Sequence, residues 1–373
     1  SRRCPDDALL LVTGSLNVSA FELPPNLDFV KLPSVPKRTI YDGVPGPGFG
    51  PEPYQKVIAA RRDIALATFR AFAPDLVVVD HAPAGLFGEL APAFDWLRRT
   101  RPAARFALLM RDITFGAEQT RQIWRNEHVY PLLDDLYDRI LIYGSPDIFD
   151  PIAEYGMSPA AAARAVFCGY LTPLPPTRSP EQARSELGAT GRRLAAVSVG
   201  GGGDGGPVLR AYLEGLPAFA PPDLLSYVIT GPLLPDDERA EIARLAAGRA
   251  DVILTPFDPD ALGVVAAADV VVSMAGYNSL CEAAFTGKRS VVVPRLPGPE
   301  EQAIRAERFA RRGLVTLVPP DDLSPDSLWT AVLAELGRES SPPPALRFGG
   351  EARIAAELAA LAHAAREPRE SEG

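Results

Sequence analysis

Short runs of apolar residues alternate along this chain with longer stretches in which apolar positions recur every three to four residues. The first pattern marks strands and the second marks helices. In the first half, strands are predicted at Ala8–Thr13, Phe29–Lys31, Leu76–Asp80, Phe106–Met110 and Arg139–Tyr143, and helices at about Glu52–Ala73, Gly85–Thr100 and Glu118–Tyr137. The second half is more regular, with strands at Ala195–Val199, Ser226–Thr230, Val252–Leu254, Val270–Ser273, Ser290–Val293 and Val315–Val318, each followed by a helical pattern. These strands are nearly continuous apolar runs, as in a parallel sheet covered on both faces. Regular strand–helix alternation predicts an α/β fold built from βαβ units.

Punctuation divides the chain. Tyr41–Pro53 repeats Gly and Pro and is predicted to be a loop. Leu171–Pro180 carries four prolines and no apolar periodicity, which makes it the linker between residues 1–170 and residues 181–350. Asp258-Pro259 is expected to supply an N-cap and first-turn proline for the next helix. Residues 351–373 form an Ala/Leu-rich helix and a polar tail.

Composition narrows the class. The 373 residues are 47% apolar and 23% charged, a globular balance large enough for two domains. The net charge of −9 argues against a nucleic-acid partner, which calls for a basic face. Three scattered cysteines share no metal-ligand spacing and suit a reducing, cytoplasmic setting; no metal or bound cofactor is expected. The apolar run Ala261–Gly276 is interrupted by Asp269, so no membrane span is predicted, which leaves peripheral membrane contact open.

In doubly wound sheets ligands sit at the carboxyl ends of the strands, so the residues after each strand carry the candidate chemistry. After Ala195–Val199 comes Gly200-Gly201-Gly202-Gly203-Asp204-Gly205-Gly206, then Pro207, fit for the first turn of a helix. Backbone N–H groups there can approach an anion, and a helix N-terminus favours negative charge. The alternative is a plain flexible turn. No Lys-Ser/Thr follows, which excludes a Walker loop. After Val270–Ser273, Gly276 leads into a second helix on which Ser279 and Glu282 share one face. Glu282 can accept two hydrogen bonds from a vicinal diol such as a ribose, or be an ordinary surface acid. After Ser290–Val293, a proline-rich loop delivers Glu301 and Gln302, either to bond sugar hydroxyls or as common helix-start charge.

In the first half, His81 follows Asp80 at a strand end and is either a general base or a structural residue. Arg111 and Asp112 follow the next strand and are candidates to orient a second substrate. His128 and His363 look structural and solvated respectively.

The run Ser273–Glu282, followed by Pro294-Arg295 and Glu301-Gln302, resembles the C-terminal half of the MurG-like glycosyltransferases of the GT-B superfamily. Val79–Pro83 and Met110–Ile113 resemble the first half of predicted bacterial glycosyltransferases in that branch. The resemblance implies two Rossmann-like domains facing across a cleft: an acceptor-side domain, then a donor-binding one. It implies that Gly202, Gly203 and the turn Gly276, Tyr277, Asn278 meet a diphosphate with Ser279 nearby, and that Glu282 holds the ribose. It also implies that backbone near Phe257 reads the base and that Glu301 and Gln302 touch the donor sugar. His81 and Asp112 are the catalytic candidates, with Asp80 and Arg111 on the acceptor side.

The expected activity is transfer of a hexose-type sugar from a nucleotide-diphosphate sugar, UDP by default, to a hydroxyl of a lipid, natural product or glycan. The nucleotide sugar is a co-substrate. A sugar-nucleotide epimerase and a non-catalytic nucleotide-sugar-binding protein are the alternatives. The family's opening strand, glycine-rich turn and helix have no counterpart before Ala8–Thr13, so an N-terminally shortened first domain is a further expectation.

Overall fold

The computed structural model describes residues 5–15, 18, 22–35, 54–295, 300–338 and 346–366. The predicted loop 41–53 and the segment 296–299 lie outside them. The first half contains β1 (Leu9–Thr13), β2 (Leu27–Lys31), β3 (Leu76–Asp80), β4 (Arg105–Arg111), β5 (Arg139–Tyr143) and β6 (Ala165–Phe167). The three-residue β6 is too short to carry a recognisable apolar period. Strands β3-β4-β5-β6 form a parallel sheet, while β1 and β2 pair in parallel as a separate two-stranded unit.

The second half contains β7 (Arg193–Ser198), β8 (Leu224–Ile229), β9 (Val252–Thr255), β10 (Val270–Ser273), β11 (Ser290–Val292) and β12 (Thr316–Leu317), in the spatial order β12-β11-β10-β7-β8-β9, all parallel. Every residue of β8 and β10 is buried, which explains why these strands read as nearly continuous apolar runs. The strand order reverses between β7 and β10: the chain runs outward through β8 and β9, then returns to pair β10 with β7. That reversal leaves a crevice at the carboxyl ends of these two strands.

The expected helix Glu118–Tyr137 is two helices, Ala117–Asn126 and Val129–Asp135, broken at His128, whose φ is 53°. The Asp258-Pro259 expectation also needs correction. That helix starts at Ala261 with Asp260 at its cap position, and no side chain caps it. Asp260 instead accepts from the backbone of Thr177 and Arg178. Arg178 also pairs with Asp258, so both acids fasten the interdomain linker to the second domain.

The carboxyl edges of the two large sheets face each other. Tyr143, at the end of β5, lies edge-on to Tyr277 of the helix Tyr277–Phe285, with ring centroids 5.7 Å apart. The helix Glu301–Arg311 crosses the gap with arginines three and four residues apart. Arg305 pairs with Asp112, Arg308 with Glu154, and Arg312 donates to the carbonyl of Asp147. The terminal helix Gly350–Arg366 returns to the first domain and packs on β3, β4 and β5.

Candidate functional site

The loop after β7 and the turn after β10 begin level with each other, because Ser198 and Ser273 are register partners. From there the helices Gly206–Phe219 and Tyr277–Phe285 run away from the same crevice, so both N-termini and their unpaired N–H groups open onto it. The loop after β11 joins them. Arg295 pairs with Asp204 of the glycine loop and with Glu301, both at 3.2 Å, and its N–H donates to Gln302 Oε1.

The glycines divide into two kinds. Gly202 is buried at φ +87°, and a Cβ there would lie 2.3 Å from the carbonyl oxygen of Thr230. A Cβ at Gly205 would meet Val199 at 2.4 Å, and one at Gly206 would meet the Glu238 carboxylate. The fold itself therefore requires Gly202 and Gly205, while at Gly206 only the flexible end of Glu238 would have to move. Gly203 is exposed, and a Cβ there would find no atom closer than 3.8 Å. Gly276 has an ordinary φ of −65° and only Ser279 Oγ near its Cβ position, at 3.9 Å. A glycine is thus not required there by the backbone conformation. At Gly203 and Gly276 the missing side chain leaves backbone amides approachable without being needed for folding.

Glu282 is half-buried one turn into the helix, and burial raises its carboxyl above the usual range. Ser279 is half-buried and Asn278 exposed. The Tyr277 phenol turns away from the crevice and accepts from the Leu171 N–H, which leaves only its backbone on the crevice side. Phe257 is 63% exposed after the edge strand β9, and its carbonyl accepts from Thr255 Oγ1. Gln302 is buried and Glu301 half-buried, both engaged with Arg295.

On the first domain, Tyr143 donates to Asp80 Oδ1 at 3.1 Å, and Arg111 Nε donates to the Tyr143 oxygen at 3.3 Å. Burial, reinforced by the Asp80 carboxylate, holds the Tyr143 phenol well above its ordinary range, so it stays a donor to Asp80. His81 sits at φ +70° in a tight turn in which Ala82 N donates to Asp80 O. Burial, then the Arg111 charge, lowers its imidazole to about 4. It is neutral at pH 7, and its Nδ1 is buried without a hydrogen-bond partner.

Asp112 is placed differently from its expected catalytic position. It is fully buried, accepting from Ile113 N at 2.7 Å and from Arg305 at 3.4 Å, with the Tyr170 hydroxyl at 3.5 Å. Held in that seam between domains, its carboxylate is closed off from solvent. Arg305 and Tyr143 were missed because an arginine on a polar helix face and a tyrosine at a strand end carry no distinguishing pattern, while Arg295 was noted only as part of the Pro294-Arg295 pair and given no role. Of the eight buried side-chain atoms lacking a hydrogen-bond partner among the described residues, four lie around this cleft: His81 Nδ1, Ser273 Oγ, Arg295 Nε and Arg305 Nε. Among the described residues, no cluster of three or more His, Cys, Asp or Glu is set to hold a metal, and no helix is long and apolar enough to cross a membrane.

Residues 199–345 match the glycosyltransferase family 28 C-terminal domain. The chain is 31% identical over 149 residues to the UDP-N-acetylglucosamine–N-acetylmuramyl-(pentapeptide) pyrophosphoryl-undecaprenol N-acetylglucosamine transferase of Paenarthrobacter aurescens. That match covers 39% of this chain and 38% of the relative, so this chain spans well under half of that protein's length. Among solved structures, the calicheamicin glycosyltransferase CalG4 superposes with a TM-score of 0.53 at 18% identity, covering 84% of this chain and 76% of its own. MurG of Acinetobacter baumannii superposes with a TM-score of 0.50 at 16% identity, covering 76% and 70%. The chain therefore has the GT-B fold of two Rossmann-like domains, and residues 199–345 of its second domain are similar to the glycosyltransferase family 28 C-terminal domain.

Proposed function

We propose that the chain transfers a hexose-type sugar from a nucleotide-diphosphate sugar, with a UDP-sugar as the first donor to test, to an acceptor hydroxyl. The observation that carries this reading is the pairing of β7 with β10 at the strand-order reversal, which aims two helix N-termini at one crevice. The diphosphate would lie across Gly203 and the turn Gly276–Asn278. Oriented N–H groups and two helix dipoles would stabilise the charge that develops as the nucleoside diphosphate departs. Glu282 would grip the ribose diol, the Phe257 backbone would face the base, and Glu301 and Gln302 would hold the sugar. The family 28 match over residues 199–345 supports the donor class.

Thermal denaturation with UDP tests this reading. A ligand at a hundredfold excess over its Kd stabilises by about 2.7 kcal/mol, a readily measured shift. The wild-type chain is expected to shift with UDP and Glu282→Ala to lose most of that shift. Equal shifts in both would reject the ribose assignment. Incubation with UDP-N-acetylglucosamine alone separates transfer from epimerisation, because an epimerised sugar nucleotide formed without acceptor would replace the transferase reading.

A further inference from the structure

A cavity of about 480 Å³ lies between the terminal helix Gly350–Arg366 and the carboxyl ends of β3, β4 and β5. Its size suits a small molecule. Its apolar wall is Leu109, Leu171, Ile354 and Leu358. At its polar end stand Asp80, Arg111 and Tyr143, and Asn278 reaches it from the second domain. The cavity therefore touches the turn assigned to the donor diphosphate.

Resting on the glycosyl-transfer reading, we infer that this cavity is the acceptor site, and that it takes an uncharged molecule with an apolar body and a hydroxyl presented to Asp80. Three observations specify that class. Aliphatic side chains on opposite walls call for an apolar body. The carboxylate is ordered by Tyr143 through Oδ1, which directs Oδ2 to a second donor such as an acceptor hydroxyl. The charges lining the cavity are two acids, Asp80 and Glu351, against one arginine that already serves Tyr143, a balance that disfavours a phosphorylated acceptor.

In the reaction, Asp80 takes the hydroxyl proton while the acceptor oxygen forms a bond to the anomeric carbon of the sugar. The bond from that carbon to the phosphate oxygen breaks, and its electron pair leaves on the nucleoside diphosphate. Asp80 thereby takes the role expected of its neighbour, whose Nδ1 is buried.

Fluorescence titration of the full chain with 2-naphthol and with 2-naphthyl phosphate, without nucleotide, tests the site. The expected result is saturable binding of 2-naphthol, with the phosphate ester at least tenfold weaker. Ala355→Phe and Leu358→Trp, each first shown to retain the wild-type circular dichroism spectrum, fill the cavity and are expected to abolish naphthol binding. Asp80→Asn is expected to narrow the discrimination against the phosphate. Absent naphthol binding, binding unchanged in both filled variants, or equal affinity for the phosphate ester would each overturn the inference. Because nucleotide is omitted, such a failure leaves the donor site's own test untouched.

Discussion

At the level of single residues, two glycines of one loop have opposite reasons to be glycine. Gly202 combines a left-handed backbone with a Cβ position 2.3 Å from a carbonyl oxygen. Gly202→Ala should cost at least about 2 kcal/mol in urea denaturation, because strained φ alone costs on the order of 1–3 kcal/mol. Gly203→Ala meets neither obstacle and should change stability by no more than about 0.5 kcal/mol. It should nevertheless cut the UDP-induced thermal shift by more than half, since the added methyl stands where the diphosphate would approach. His81 supplies a pH prediction. Its folded pKa of about 4 lies below the ordinary 6.5, so the unfolded chain takes up the proton first as pH falls. The stability due to this group is fully present above pH 6.5 and is lost progressively as pH drops towards 4, amounting to roughly 3 kcal/mol. His81→Asn should flatten that part of the stability–pH curve. A slope identical to wild type would mean that His81 titrates normally in the folded chain.

Among the elements, the helix Glu301–Arg311 joins the two halves of the site. Its first turn holds Arg295 through Glu301 and Gln302, and one turn later Arg305 enters the first domain to reach Asp112 and the Ile113 carbonyl. Removing one partner of a buried ion pair costs about 3–5 kcal/mol, because the other charge stays buried without compensation. Arg305→Met should show that loss in urea denaturation, and Arg305→Met combined with Asp112→Asn should recover much of it. A double variant no more stable than the single one would show that the pair is not coupled as described. This helix also shows what the sequence could convey. Its existence followed from apolar spacing, and Glu301 and Gln302 stood out by position after a strand. Arg305 did not, because burial of a charge depends on a partner 193 residues away. The same holds for Asp112, which looked accessible at a strand end and is sealed by the opposing domain. Strand positions were legible because a fully covered parallel sheet writes continuous apolar runs. The break at His128 and the three-residue β6 were not, because both depend on tertiary context.

For the molecule as a whole, the proposed function rests on two carboxyl edges that face each other and on one crevice where the second sheet reverses its strand order. The crevice was legible because a parallel sheet concentrates its chemistry after its strands, and the glycine loop and the Gly276 turn stood there. The acceptor cavity was not legible, since its far wall is the terminal helix, more than 200 residues from β3, β4 and β5. The most direct measurement is a crystal structure of the chain with UDP bound. The account predicts diphosphate density between β7 and β10, within hydrogen-bond distance of the Gly203 amide and of an amide in the turn Gly276–Asn278, with the ribose against Glu282. Diphosphate density at any other edge of either sheet, or contacts to only one of those two helix starts, would contradict it.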